Sequence, residues 1–186
     1  MQHGFVGVTA MVLLAWGVSA CATLSEGECR TANWYELGRL DGANGQPRSR
    51  LNNHAEACGE YGIIPNPEAY FQGRDDGLAR YCTPESGFEV GRSGGSYQGV
   101  CPPGDEAGFL AGYRDGRAIH QVSQELASVE RDIDRLENRL ASDGVDEDER
   151  RALRLEIRAL DREFRSLNRE LVRMESNAAT RGSWKR

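Results

Sequence analysis

The chain has 186 residues, enough for one ordinary domain or a small domain with an extension. It carries 29 acidic and 23 basic side chains, for a formal net charge of −6. This excess of negative charge argues against binding to nucleic acid and against attachment to an anionic lipid surface by charge.

Residues 1–20 are predicted to be a lipoprotein signal peptide. The apolar run 5–20 is shorter than the roughly 20 residues of a transmembrane helix, which favours a signal peptide. Unlike most signal peptides, it has no Lys or Arg before the apolar run. Two small residues, Ser19 and Ala20, then lead to Cys21. We therefore expect Cys21 to be acylated and to become the new N-terminus, with the lipid as the membrane anchor. Ala22 follows rather than Asp, which favours the outer membrane.

Four cysteines remain in the predicted mature chain, namely Cys29, Cys58, Cys82 and Cys101. An even number in an exported protein predicts two disulfides. Among the three possible connectivities we favour the sequential one, Cys29–Cys58 and Cys82–Cys101. A four-cysteine zinc site is the alternative, but such sites usually contain close C-x-x-C pairs, which this chain lacks.

An aromatic-x-x-Gly-x-x-Asp-Gly repeat begins at Tyr35, Tyr70, Phe88 and Phe109, with Gly94 in place of Asp in the third copy. The aromatic residue and the two glycines share one helical face. Glycine weakens a helix by about 1 kcal/mol relative to alanine, so glycines at these positions are expected to have a packing role. Close approach of the backbone beneath an aromatic ring is such a role. The repeat glycines are Gly38, Gly42, Gly73, Gly77, Gly91, Gly95, Gly112 and Gly116. We expect a bundle of short helices; β-hairpins, for example at 91–99, are the alternative.

The remainder of the chain predicts a long helical hairpin. Two apolar stripes follow heptad spacing, as is typical of coiled coils. Between them, Gly144 can end the first helix and Asp146 can cap the second. The short connection makes the helices antiparallel neighbours, although each stripe could instead pair with another chain. The stripes consist of Val122, Leu126, Val129, Ile133, Leu136 and Leu140, and of Leu153, Ile157, Leu160, Phe164, Leu167, Leu171 and Met174.

A family resemblance rests on three segments of the glycine- and cysteine-containing part of the chain: 34–42, 70–84 and 95–102. The Tyr-Cys-Thr-Pro sequence at 81–84 and the Gly-Val-Cys-Pro sequence at 99–102 are the more specific parts. They resemble the bacterial lipoprotein family known as domain of unknown function 2799, over roughly residues 21–175. The resemblance implies a lipoprotein with a variable helical C-terminal part, and it implies no established activity.

Candidate catalytic residues are few. Ser93 stands in a G-x-S-x-G sequence, but no apolar strand precedes it as a hydrolase nucleophile requires. His54 lies beside Asn52 and Asn53 and is expected to be exposed, and His120 is expected off the core face of its helix. We assign no catalytic residue, metal or cofactor.

The recurring Asp41, Asp76 and Asp115 could bind a cation if they gather, since hard ions prefer carboxylate oxygens. A structural role is favoured, in which each pairs with a backbone group or with an arginine such as Arg39 or Arg74.

Together these features predict a mainly α protein in four parts. They are a signal peptide (1–20), a disulfide-stapled glycine-rich head (21–116), a helical hairpin or coiled coil (117–177) and a flexible tail (178–186). We expect a non-enzymatic lipoprotein of the outer membrane, facing the periplasm, whose hairpin binds an envelope protein or a second copy. The alternative is a head that binds a cell-wall fragment or a cation, with the hairpin as spacer.

Overall fold

The computed structural model describes residues 23–181, and every regular element among them is helical. The predicted signal peptide, Cys21 and residues 182–186 lie outside this range. None of the described helices is long and apolar enough to cross a membrane. The helices are α1 (Glu26–Thr31), α2 (Trp34–Ala43), α3 (Arg50–Gly59), α4 (Pro67–Tyr81), α5 (Pro84–Arg92), α6 (Pro103–Ala141) and α7 (Glu147–Arg181).

Polar side chains begin the helices of the head as the sequence predicts. The side chains of Asn33, Asn66 and Thr83 each accept a hydrogen bond from the backbone N–H three residues further on. Pro67 and Pro84 occupy first helical positions, where no N–H is needed. These local caps set where α2, α4 and α5 start.

The glycines bring α2 and α4 together as a parallel pair, which we call the first helix pair. A Cβ built on Gly38 would lie 2.8 Å from the carbonyl carbon of Tyr70, and one on Gly42 would lie 2.9 Å from that of Arg74. Four residues further along α2 thus correspond to four residues further along α4, so the helices run in the same direction. The contact is reciprocal, because Gly73 of α4 faces the backbone of Tyr35. The repeat glycines therefore admit a neighbouring backbone rather than an aromatic ring.

Helices α5 and α6 form a second helix pair with the same geometry. A Cβ on Gly87 would lie 2.9 Å from the carbonyl carbon of Phe109, and one on Gly112 would lie 2.8 Å from that of Pro84. The predicted third copy of the repeat is therefore displaced by four residues. Gly87 and Gly91 take the places assigned to Gly91 and Gly95, and Gly95 lies beyond the end of α5. The contact glycines are Gly38, Gly42, Gly73, Gly77, Gly87, Gly91, Gly112 and Gly116.

Each disulfide joins the N-terminal ends of one helix pair. Cys29–Cys58 links the segments that lead into α2 and α4, and Cys82–Cys101 links those that lead into α5 and α6. This is the sequential pairing. Because the helices of a pair are parallel, their starting ends lie side by side, within reach of a disulfide. The head thus contains one unit twice: a cysteine, a glycine helix, a second cysteine and a second glycine helix.

The two helix pairs follow one another through a short connection. Helix α4 ends at Tyr81 and α5 begins at Pro84. Tyr81 packs in a core cluster with Phe109 of α6, their ring centroids 4.9 Å apart. The C-terminal end of the first pair therefore meets the N-terminal end of the second.

The predicted hairpin is confirmed, and its first helix is continuous with the head. Helix α6 passes without a break through the expected boundary at 116/117, and α7 packs back along it. Gly144 adopts a φ of +84°, and Asp146 accepts a hydrogen bond from the backbone N–H of Glu149. Residues 178–181 were expected in a flexible tail; that was wrong, because α7 extends to Arg181 and Ala178 is buried.

Candidate functional site

The buried polar centre of the head lies among α2, α3 and α4. The Asp41 carboxylate accepts hydrogen bonds through Oδ2 from His54 Nε2 at 2.8 Å and from the Tyr70 hydroxyl at 2.7 Å. Only 9% of Asp41 and 2% of His54 are exposed, and Tyr70 is fully buried. These side chains connect three helices through one carboxylate oxygen.

The network also reaches the chain segment that follows Cys21. His54 Nδ1 lies 2.8 Å from the Thr23 hydroxyl, which donates to the carbonyl oxygen of Asn53 at 3.2 Å. Leu24 is buried in a cluster with the Cys29–Cys58 disulfide. The first described residues are therefore held by side-chain hydrogen bonds and by apolar packing.

The electrostatics of the centre favour an ionised Asp41. Burial would raise the pKa of Asp41, but the hydrogen bonds from His54 and Tyr70 and the positive charge of Arg50 outweigh it and lower the pKa below its ordinary value. Burial and the adjacent carboxylate raise the pKa of the Tyr70 hydroxyl, so it stays a hydrogen-bond donor. The partners of Asp41 are side chains of α3 and α4 rather than the backbone group or arginine that the sequence suggested; Arg74 donates instead to the carbonyl oxygen of Gln46.

The contact of a hydroxyl, an imidazole and a carboxylate invites comparison with a nucleophilic triad. Catalysis needs access to the base, but His54 and Asp41 are closed off by the helices that they connect. The arrangement is suited to holding Thr23, α2, α3 and α4 together.

The structure buries His54, which was predicted to be exposed. Its expected exposure was wrong, because the side chain is 2% exposed. The helical spacing of Leu51, His54 and Cys58, all buried on α3, is the signal that could have located it. The polar neighbours Asn52 and Asn53 lie on the exposed side of the same helix.

The first helix pair contains two Tyr–Asp contacts related by its internal symmetry. Tyr70 of α4 donates to Asp41 of α2, and Tyr35 of α2 donates to Asp76 of α4, both at 2.7 Å. The first contact is buried under His54, whereas Asp76 is exposed. The aromatic residue and the Asp of the repeat are thus partners across the pair.

The second helix pair has an apolar version of the buried contact. Counting from the contact glycines, Val90 corresponds to Asp41 and Phe109 corresponds to Tyr70. Phe109 is fully buried and Val90 packs against its cluster. Donor and acceptor are both absent, so no polar group is left without a partner there.

The structure does not gather Asp41, Asp76 and Asp115 into a cation site. Asp115 lies on α6 of the second pair, lining a small cavity of about 70 Å³ that includes Met174 and Ala178 of α7. Across residues 23–181 no group of three or more His, Cys, Asp or Glu side chains is arranged to hold a metal ion.

Ser93 and His120 have local structural contacts at the end of α5. The Ser93 hydroxyl donates to the carbonyl oxygen of Val90 at 3.0 Å, and His120 Nδ1 lies 3.1 Å from the carbonyl oxygen of Arg92. A helix, not a strand, precedes Ser93. The hydroxyl therefore lacks the setting of a nucleophile elbow.

The hairpin carries a second candidate surface. Val122, Leu126 and Val129 of α6 are buried, but along α7 the stripe from 157 to 174 is only partly covered. One facing helix cannot enclose an apolar stripe from both sides. Over about 25 Å, at 1.5 Å per residue, α7 thus retains accessible apolar surface.

The fold and these surfaces define an all-helical, disulfide-bonded protein with a duplicated glycine-helix unit. Residues 33–118 match the model of a family described as "Protein of unknown function (DUF2799)", which confirms the resemblance. The matched segment begins at the cap of α2 and ends in α6, so it covers both helix pairs but is narrower than the expected 21–175. This segment of the chain is therefore similar to the family. No curated protein and no solved structure matches the chain.

Proposed function

We propose that this protein is a lipid-anchored interaction protein of the bacterial outer membrane. Acylated Cys21 holds it on the periplasmic side, and the α6–α7 hairpin binds a helical segment of another envelope protein. The protein performs this role without catalysis. The partly covered apolar stripe of α7 is the observation that carries the proposal.

The arrangement of the head supports presentation of the hairpin away from the lipid. Leu24 packs against the Cys29–Cys58 disulfide at the N-terminal end of the first helix pair, Thr23 is bonded to His54 of α3, and the second pair begins where the first one ends. Helix α6 then continues from the second pair for a total of 39 residues, or about 58 Å. The tip at 142–146 is thus separated from the anchor by both helix pairs and by the hairpin.

The chemistry of the stripe indicates the class of partner. Ile157, Leu160, Phe164 and Leu167 of α7 are partly exposed, at the spacing that receives an amphipathic helix in a groove. Exposed arginines and glutamates flank them, for example Arg158 and Glu163. A partner helix with an apolar face and charged edges fits this surface.

Removal of residues 122–175 tests the role of the hairpin. The contacts between α5 and α6 that involve Gly87, Gly91, Gly112 and Gly116 lie outside this segment, so the head is expected to keep its helical circular dichroism and both disulfides. The shortened protein is expected to lose the partner that the intact protein binds after cross-linking in cells. An unchanged partner would contradict the proposal.

Substitution Cys21→Ala tests the anchor separately. The intact protein is expected to fractionate with outer membranes and to carry the mass of acyl chains on its N-terminal residue. The variant is expected to lose that mass and the membrane fraction. A Cys21→Ala protein that still behaves as an integral membrane protein would refute lipidation.

A further inference from the structure

The loop 61–66, which we call the anchor loop, exposes apolar side chains on an otherwise acidic chain. Ile64 is 88% exposed and Tyr61 is 38% exposed. An isoleucine side chain almost entirely in water is unusual, because it is among the residues most often buried. The loop connects α3 to α4 and ends at Asn66, the N-cap of α4.

The backbone holds Ile64 in place. The Ile63 N–H donates to the carbonyl oxygen of Cys58 at 3.1 Å, and Gly62 has a φ of +71°, the geometry of a Schellman motif. Ile64 precedes Pro65, which restricts its backbone to extended conformations. The exposed side chain is thus presented by a structured turn.

The anchor loop lies at the end of the head where the chain enters. Ile63 packs against the cluster of Leu24, Cys29 and Cys58. Thr23, one residue before Leu24, is fixed to His54 and Asn53. The loop and the first described residues therefore share one apolar cluster.

The length of chain before this cluster limits where a lipid can be. Two residue steps separate Cys21 from Thr23, and they span at most about 7 Å when fully extended. Because Thr23 and Leu24 are packed, no longer linker is available. An acylated Cys21 thus holds this end of the head against the bilayer.

We propose that the anchor loop inserts Ile64 into the bilayer surface beside the acyl chains of Cys21, an inference that rests on the proposed lipidation. The contact is apolar, since the chain carries a net charge of −6 and anionic lipid does not attract it. Exposed Glu60 next to the loop keeps the insertion shallow. The loop adds a second contact that fixes the orientation of the head on the membrane.

Photo-cross-linking of the full, lipidated chain in its own membrane tests this contact. A photoreactive phenylalanine analogue replaces Ile64 in one protein and Leu155 in a control; Leu155 is 58% exposed but lies on the hairpin near its tip. We expect a phospholipid adduct, identified by its mass, at position 64 and none at position 155. Both side chains are exposed, so neither replacement disturbs the core.

The other outcomes separate the insertion from the anchor. Acylated Cys21 without a phospholipid adduct at position 64, or with an adduct to protein there, overturns the insertion and leaves the lipid anchor standing. Equal phospholipid adducts at both positions also overturn it, because contact is then not specific to the loop. An intact mass without acyl groups on Cys21 overturns the anchor and the insertion together.

Discussion

Substitution Gly38→Ala should separate the first helix pair. The new Cβ would lie 2.8 Å from the carbonyl carbon of Tyr70 and 3.1 Å from the nitrogen of Arg74, whereas ordinary contact begins at 3.4 Å. Both neighbours are backbone atoms of a helix, so they cannot rotate away, and the helices must move apart by more than half an ångström. Overpacking of this kind costs about 1–3 kcal/mol. Alanine returns up to about 1 kcal/mol of helix propensity.

Because the clash is with helix backbone, we take the upper end of the overpacking range, about 3 kcal/mol, so the net loss is about 2 kcal/mol, which lowers the Tm by about 4–8 °C for a chain of this size. The assay is thermal unfolding, followed by circular dichroism, of a chain that starts at Ala22. The matched control is Gly27→Ala in α1, where a Cβ would meet nothing within 4 Å. It should leave the Tm unchanged or slightly higher. Equal Tm values for Gly38→Ala and the control would refute the parallel pairing through glycine.

The same substitution tests the register of the second helix pair. Gly87→Ala should destabilise the protein as Gly38→Ala does, because its Cβ would lie 2.9 Å from the carbonyl carbon of Phe109. Gly95→Ala should have a smaller effect, since its nearest neighbours are atoms of Val90 at 3.1 Å. A larger loss of stability in Gly95→Ala than in Gly87→Ala would instead favour a third copy that begins at Phe88, as the sequence suggests.

Asp41→Asn should lower the free energy of unfolding by about 2 kcal/mol, because it removes a charged acceptor from the buried donors His54 and Tyr70. The control Asp76→Asn, at the equivalent exposed position, should lower it less. Since the pKa of Asp41 is lowered by folding, its contribution is present above the ordinary Asp pKa and is lost as the pH falls through the folded-state value. Urea titrations from pH 6 to pH 2 should therefore show a smaller acid-dependent loss in Asp41→Asn, and an unchanged loss would contradict this. Val90→Asp should cost about 2 kcal/mol or more, since Phe109, at the position of Tyr70, has no hydroxyl to donate to it, and adding Phe109→Tyr should recover part of that loss in a double-mutant cycle. No recovery would refute the correspondence between the two pairs.

The hairpin and the helix starts could be predicted because their signals are local. Each signal lies within a few residues of the helix or turn that it determines. Examples are the heptad spacing, the left-handed Gly144 and the caps Asn33, Asn66 and Thr83. The repeat likewise identified seven of the eight contact glycines. Each of these features is confirmed by the structure.

The pairing of the glycine helices could not be predicted in the same way. The repeat marks a face on one helix, but the atoms that fill the space of the missing Cβ belong to residues 22 to 38 positions away on another helix. The third copy was misplaced because Phe88 seemed to begin it, whereas Pro84 stands at the aromatic position. His54 was misplaced for a related reason: Asp41 and Tyr70, its buried surroundings, are distant in the sequence.

Site-specific photo-cross-linking on α7 in intact cells tests the proposed interaction most directly. The reactive residue replaces Phe164, on the partly covered stripe, or Arg162, which is exposed on the opposite side of the helix. We expect an adduct with one envelope protein from position 164 and none from position 162, and loss of that adduct in Cys21→Ala cells. Adducts from the head alone, or equal adducts from both positions of α7, would contradict it.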